Sequence, residues 1–132
     1  MSYQSVMLLA EKRIAVLGLA FKAGTNDVRN SLAVKVIERL EQEGAIVRAH
    51  DPVAIPDAQA LKPRITYCQD PYDAVLGADG LLILTEWTSF QNLDYSVIME
   101  RMASPSIIDA RNLLDVEAVR SLGFSYLGIG RP

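Results

Sequence analysis

Apolar and polar positions along this 132-residue chain fall into two kinds of segment. One kind is short, apolar and bounded by glycine, proline or charge: "RIAVLGL" (13–19), "AIVRAHDP" (45–52), "RITYC" (64–68), "GLLILTEW" (80–87), "SIIDAR" (106–111) and "SYLGIG" (125–130). Runs of this kind predict strands buried on both faces. The other kind carries its apolar residues at helical spacing. "SLAVKVIERLEQEG" puts Leu32, Val36, Ile37 and Leu40 on one stripe, opened by Ser31 as N-cap and closed by Gly44. "DPYDAVLGA" (70–78) predicts a helix from Pro71, a residue suited to a first turn. "YSVIMERM" (95–102) and "DVEAVRSLG" (115–123) predict two more, the second ended by Gly123. The stretch around Pro56 and Pro63 reads as turns.

Strands that alternate with helices imply parallel neighbours, because parallel strands need a crossover between them. The expected fold is therefore α/β: a Rossmann-like three-layer sandwich around a six-stranded parallel sheet, ordered 3-2-1-4-5-6 with right-handed crossovers. The length suits one domain, and no internal repeat, low-complexity segment or linker divides it. Residues 1–11 read as a leader or the end of an upstream helix, and residues 12–132 as the domain.

Composition changes this picture little. Half the residues are hydrophobic and 22% are charged, as in ordinary globular domains. A net charge of −3 without a basic block argues against nucleic acid as a partner. "VMLLA" (6–10) has no basic flank and is too short to span a bilayer, so the expectation is a cytoplasmic protein without a membrane partner. A single cysteine, Cys68, excludes a disulfide within the chain, and no cluster of His, Cys or carboxylates has metal-ligand spacing. No metal is expected.

In sheets of this class ligands bind beyond the carboxyl ends of the strands. That rule gathers "GLAFKAGTNDVRN" (18–30), "HDP" (50–52), "TEWTSF" (85–90) and "DARN" (109–112) onto one rim. The first segment is neither a G-x-G-x-x-G fingerprint nor a P-loop. Its Lys22 and Arg29 flank a helix N-terminus, a place that favours anions; on residue chemistry alone they are equally well read as solvated charges. Asp51 stands where a dinucleotide-binding fold has its ribose-binding acid, but without upstream glycines a turn role beside Pro52 is the better reading. His50 reads as a surface residue, Trp87 with Phe90 as packing on the rim, and Asp109 as an orienting partner for a cation or a backbone amide. Cys68 reads as a small buried hydrophobe.

Four blocks in order, residues 13–52, "LLILTEWTSFQNLDY", "IIDARNLLD" and "GFSYLGIGRP", resemble the C-terminal domain of the UDP-glucose/GDP-mannose dehydrogenase family. The resemblance runs from about residue 12 to residue 132 and implies a nucleotide-sugar-binding domain of an NAD-dependent dehydrogenase. That family oxidises a sugar primary alcohol to the acid with two NAD and a covalent thioester on a cysteine. Phe21 and Lys22 match the family's Phe-Lys pair at the mouth of the substrate site. Arg29 matches the Arg of its "D-x-R-E-S" block, which reaches the NAD, and Arg111 matches an Arg that touches substrate. Asn30 departs from the Glu of that block. The chemistry fits these roles, since nucleotide-sugars and NAD are polyanions that Lys holds as a point charge and Arg as a planar fork.

The family's catalytic cysteine and its glycine fingerprint lie in central and N-terminal domains, and neither motif is in this sequence. No catalytic residue is therefore expected here, and the resemblance implies partner domains in a homo-oligomeric parent. Two alternatives stand beside it: a free-standing nucleotide-binding or regulatory module without catalysis, and an unrelated small Rossmann-like protein. Strands one and five of the expected order are separated by one strand, which places Lys22 and Arg111 roughly 10 Å apart at about 4.8 Å per strand.

Overall fold

All six apolar runs contribute strands to one parallel sheet in the order β3-β2-β1-β4-β5-β6. The computed structural model describes residues 10–29 and 31–129. Most of the expected leader and Asn30 lie outside the described residues. Along the chain the elements are β1 (Arg13–Leu17), α1 (Leu32–Gln42), β2 (Ile46–His50), α2 (Ile55–Leu61), β3 (Thr66–Tyr67), α3 (Pro71–Ala74), β4 (Gly80–Ile83), α4 (Thr88–Gln91), α5 (Tyr95–Arg101), β5 (Ser106–Asp109), α6 (Val116–Leu122) and β6 (Ser125–Gly128). This is the expected three-layer arrangement with the expected strand order.

The register brings the strand ends level. Leu17 of β1 pairs with His50 of β2 and with Ile83 of β4. Ile83 is in turn level with Asp109, and Asp109 with Gly128. Five strands thus end on one line, and the loops that leave them start side by side.

Each face of the sheet carries its own core, because successive strand residues point to opposite sides. On one face Ala15, Leu17, Leu81, Ile83 and Ile107 pack with Ile98 and Val119 from the helices and with Val75 and Phe124 just beyond helix ends. On the other, Ile14, Val16, Val47 and Ala49 pack with Ala33, Ile37 and Leu40 of α1 and Ile55 and Ala58 of α2. This second face is bare toward β6: Ile108 and Leu127, paired across β5 and β6, are 38% and 56% exposed.

Helix α1 begins as expected. The Ser31 hydroxyl accepts the amide of Val34 at 3.1 Å, a cap that contributes about 1 kcal/mol. Its buried stripe is Ala33, Ile37 and Leu40, with Val36 half-buried and Leu32 exposed. The stripe is rotated from the expected one because the period 33/37/40 aims the small Ala33 at the sheet.

Several boundaries differ from the sequence reading. The stretch expected as turns around Pro56 contains α2, with Pro56 in its first turn, where the missing N–H costs no bond. Only Ile55 and Ala58 of that helix are buried, too few to show a period in the sequence. The expected strand over residues 80–87 pairs only as far as Ile83, since its neighbour β1 stops at Leu17. Edge strand β3 is two residues long and pairs with β2 alone. Among the described residues no helix is long and apolar enough to cross a membrane.

Candidate functional site

The line of strand ends is closed by a close approach between Gly18 and Thr85. Gly18 has φ +102°, and a Cβ placed on it would lie 2.5 Å from the Thr85 side chain and 2.6 Å from the Thr85 amide nitrogen. Only glycine combines that backbone conformation with that contact. The chain therefore leaves β1 at Gly18 and runs over the end of β4 as a loop from Gly18 to Arg29.

Side chains from neighbouring strand ends hold this loop. Its Gly18 amide bonds the His50 carbonyl at 2.8 Å, and the Leu19 and Ala20 amides bond Asp51 Oδ2 at 2.8 and 3.2 Å. The three residues of "TEW" each take one further part. Thr85 Oγ1 donates to the Ala20 carbonyl at 3.0 Å, Glu86 Oε1 accepts the Ala23 amide at 3.0 Å, and Trp87 Nε1 donates to Asp51 Oδ2 at 3.1 Å. Across the loop itself, the Phe21 amide bonds the Asp27 carbonyl at 2.6 Å.

Asp51 is only 2% exposed, and its second oxygen accepts the amides of Val53 and Ala54 at 2.9 and 2.8 Å. The expected turn role is present, and it leads directly into α2. The larger role is the clamp on the β1 loop. With five donors on its two oxygens this carboxylate is fully engaged, which is what makes its burial tolerable. A ribose hydroxyl would have to displace one of them.

The loop presents Phe21 and Lys22 outward. Phe21 is 49% exposed, and Lys22 is exposed without an ion pair or hydrogen bond among the described residues. Arg111 leaves the end of β5 from the opposite side. Its Nε donates to the Leu84 carbonyl at 3.0 Å and lies 3.4 Å from Glu86 Oε2. Its two terminal nitrogens make no hydrogen bond among the described residues. Asp109, fully buried, braces this corner by accepting the amides of Arg111, Leu113 and Leu114 at 3.1, 2.8 and 2.9 Å and the Tyr126 hydroxyl at 2.9 Å. Its orienting role toward backbone amides is as expected.

Arg29 stands apart from this group. Its side chain is 85% exposed and forms a two-bond fork with Asp27, Nε to Oδ1 and Nη2 to Oδ2, both at 3.1 Å. The side-chain hydrogen bond from Arg29 holds the Asp27 carboxyl below its usual range. Beside them lies a cleft lined by Asn26, Val28, Asp57, Ala60 and Leu61. The structure thus gathers Phe21, Lys22 and Arg111 around "TEW" and leaves Arg29 at the far end of the loop, paired internally.

His50, expected at the surface, is instead buried at 7% exposure, with Nδ1 2.9 Å from the Cys68 carbonyl and its ring edge-on to Phe90. It closes an alternating strand whose inward positions include Val47 and Ala49, and the strand end carries it inside. Cys68 is buried, as expected, and Phe90 is in the core while Trp87 is half-buried. Sequence reasoning missed the bridging role of Glu86, because nothing local to "TEW" says which distant amides it meets. Among the described residues no three His, Cys, Asp or Glu side chains are grouped to hold a metal ion.

Residues 15–116 match the model of the UDP-glucose/GDP-mannose dehydrogenase family, UDP binding domain. The chain is 43% identical over 122 residues to UDP-glucose 6-dehydrogenase TuaD of Bacillus subtilis, covering 92% of this chain and 26% of that protein. It is 42% identical over 127 residues to UDP-glucose 6-dehydrogenase of Pseudomonas aeruginosa, covering 92% and 28%. Among solved structures, a UDP-glucose dehydrogenase from Pyrobaculum islandicum superposes with a TM-score of 0.77 at 32% identity, over 97% of this chain and 29% of that one. The chain spans a little over a quarter of the length of these relatives, matching their C-terminal part. With the family model covering most of its length, and the loop, "TEW" and "DARN" segments meeting on one rim, the chain belongs to the UDP-glucose/GDP-mannose dehydrogenase family as its UDP binding domain.

Proposed function

We propose that this chain is the nucleotide-sugar-binding domain of an NAD-dependent nucleotide-sugar 6-dehydrogenase that oxidises the sugar C6 alcohol to a uronic acid. In this reading residues 12–132 are the domain and residues 1–11 lead in from the rest of a cytoplasmic, homo-oligomeric enzyme. Phe21, Lys22 and Arg111 contact the nucleotide-sugar. The observation that carries the proposal is the pair of cations at the aligned strand ends. Lys22 has no partner among the described residues, and Arg111 is tethered through Nε, with no hydrogen bond on its terminal nitrogens among the described residues. A diphosphate placed between them meets a point charge on one side and a planar fork on the other.

NAD fits this domain poorly on its own. The Leu19 and Ala20 amides, where a glycine-rich loop would greet a pyrophosphate, are already bonded to Asp51, and both oxygens of Asp51 are engaged. The cofactor therefore belongs mainly to the other domains of the parent enzyme, with Arg29 as the contribution from this chain. The hydride transfer itself uses no residue of this domain.

The test is a titration of UDP-glucose into the labelled chain, followed by amide chemical shifts. Expected are shifts concentrated in residues 18–24, 85–87 and 109–112, weakened by added salt. Shifts confined to other surfaces, or none at millimolar ligand, would overturn the assignment. The pure chain should yield no NADH from NAD and any nucleotide-sugar.

A further inference from the structure

We infer that Glu86 is a positioning residue, whose single carboxylate sets the loop bearing Lys22 and the guanidinium of Arg111 in one register for a diphosphate. The inference rests on the nucleotide-sugar reading above. Its observation is the division of labour between the two carboxylate oxygens. Oε1 accepts the amide of Ala23, the residue after Lys22, at 3.0 Å. Oε2 lies 3.4 Å from Arg111 Nε, which also donates to the Leu84 carbonyl at 3.0 Å. One side chain from the loop after β4 thereby joins the loop after β1 to Arg111 in the loop after β5.

The carboxylate is engaged on the inner edge of the guanidinium. An ion pair nearest to Nε, beside the Nε–H bond to the Leu84 carbonyl, orients the Arg111 plane, and no hydrogen bond among the described residues occupies the terminal nitrogens that an anion would take. Thr85 and Trp87 fix the backbone on either side of Glu86 through Ala20 and Asp51, so Glu86 is presented from a rigid base. A neutral amide cannot replace it. Glutamine offers one oxygen and one NH2, and whichever way it flips, its NH2 faces either the Ala23 amide or Arg111 Nε, donor against donor.

This role predicts an effect opposite in sign to plain electrostatics. A carboxylate beside a diphosphate repels it, so removing the charge without disturbing geometry would tighten binding. If Glu86 positions Arg111, removing the charge loosens binding instead. The side chains of Arg111 and Glu86 are 33% and 40% exposed, so substitution here leaves the core intact.

The experiment measures UDP binding by calorimetry to the 132-residue chain and to its Glu86→Gln, Glu86→Ala, Arg111→Ala and Glu86→Gln/Arg111→Ala variants, with thermal unfolding as a control. Expected is weaker binding by about three- to tenfold in both Glu86 single variants, with that penalty absent in the Arg111→Ala background, the non-additivity of residues that act through each other. The Arg111 Nε–H resonance should also shift in Glu86→Ala, as the guanidinium loses the neighbouring carboxylate. Failure of the wild-type chain to bind UDP, or undiminished binding by Arg111→Ala, would overturn the site and this inference with it. Binding that Arg111→Ala weakens while Glu86→Gln leaves it equal or tighter would overturn the role of Glu86 alone. So would an equal Glu86→Gln penalty in both backgrounds, since a merely structural residue acts that way.

Discussion

Trp87 donates its indole N–H to Asp51 at 3.1 Å, onto the same carboxylate oxygen that accepts the Leu19 and Ala20 amides. Two rim segments more than thirty residues apart thus share one buried acceptor. Asp51→Asn supplies one acceptor oxygen and one NH2 where five donors converge, which leaves buried amides unsatisfied. The expected outcome is a loss of about 2–3 kcal/mol in chemical denaturation. A change under about 0.5 kcal/mol, the range for an ordinary surface residue, would show that the clamp contributes nothing.

Gly18→Ala meets Thr85 through both its side chain and its backbone nitrogen at 2.5–2.6 Å, in a conformation with φ +102°. The expected result is a loss of about 3 kcal/mol or more, or failure to fold. Combining it with Thr85→Ala should not restore stability, because the clash with the backbone nitrogen remains. Full rescue by that second change would place the conflict in the side chain alone.

The three cations of the β1 loop and its neighbour should separate by ligand. Lys22→Ala is expected to weaken UDP-glucose binding by about 1.5–3 kcal/mol, the range for a charged hydrogen bond. Arg111→Lys should weaken it too, since a point charge does not replace a fork. Arg29, exposed and already paired with Asp27, should be dispensable: Arg29→Ala leaves UDP-glucose affinity unchanged. Calorimetry on the three variants decides it. Equal losses from all three would mean that general positive charge, and not this geometry, attracts the ligand.

Alkaline pH offers an independent check on the fold near α2. The Tyr67 hydroxyl donates to the Lys62 carbonyl at 2.7 Å, and burial, with help from Glu41, pushes its pKa up to about 12. The folded state therefore keeps this proton where the unfolded chain has lost it. The stabilisation is complete below about pH 10 and disappears as pH rises toward about 12. Wild type should be more stable than Tyr67→Phe at pH 8, and the gap in Tm should close over that window. A gap that stays constant to pH 12 would contradict the burial of this hydroxyl.

Much of this fold is legible from periodicity alone. The six apolar runs and the helix α1 each announce themselves within a dozen residues, and parallel pairing then leaves few strand orders. What periodicity does not carry is contact between distant segments. Asp51 reads as a turn residue because its partners Val53 and Ala54 are local, while Leu19, Ala20 and Trp87 come from elsewhere. Glu86 and His50 escape a sequence reading for the same reason: one bridges two other loops, and the other is buried against the carbonyl of a residue after the neighbouring strand. Helix α2 is hidden differently, its signal being too short and too rich in proline and alanine to show a face.

The tethers from the β1 loop to the other strand ends span 31 to 65 positions of sequence, from Ala20–Asp51 to Ala20–Thr85. Contacts of that separation carry a large loop-closure cost and form after local units have collapsed. The β1-α1-β2 unit can therefore take shape while the mouth above it is still open, and the mouth is completed only once "TEW" and then Arg111 have joined the sheet. Interactions made after the folding barrier act on the rate of escape from the native state. Changes at Glu86 or Trp87 should accordingly hasten unfolding and leave the speed of folding as it was.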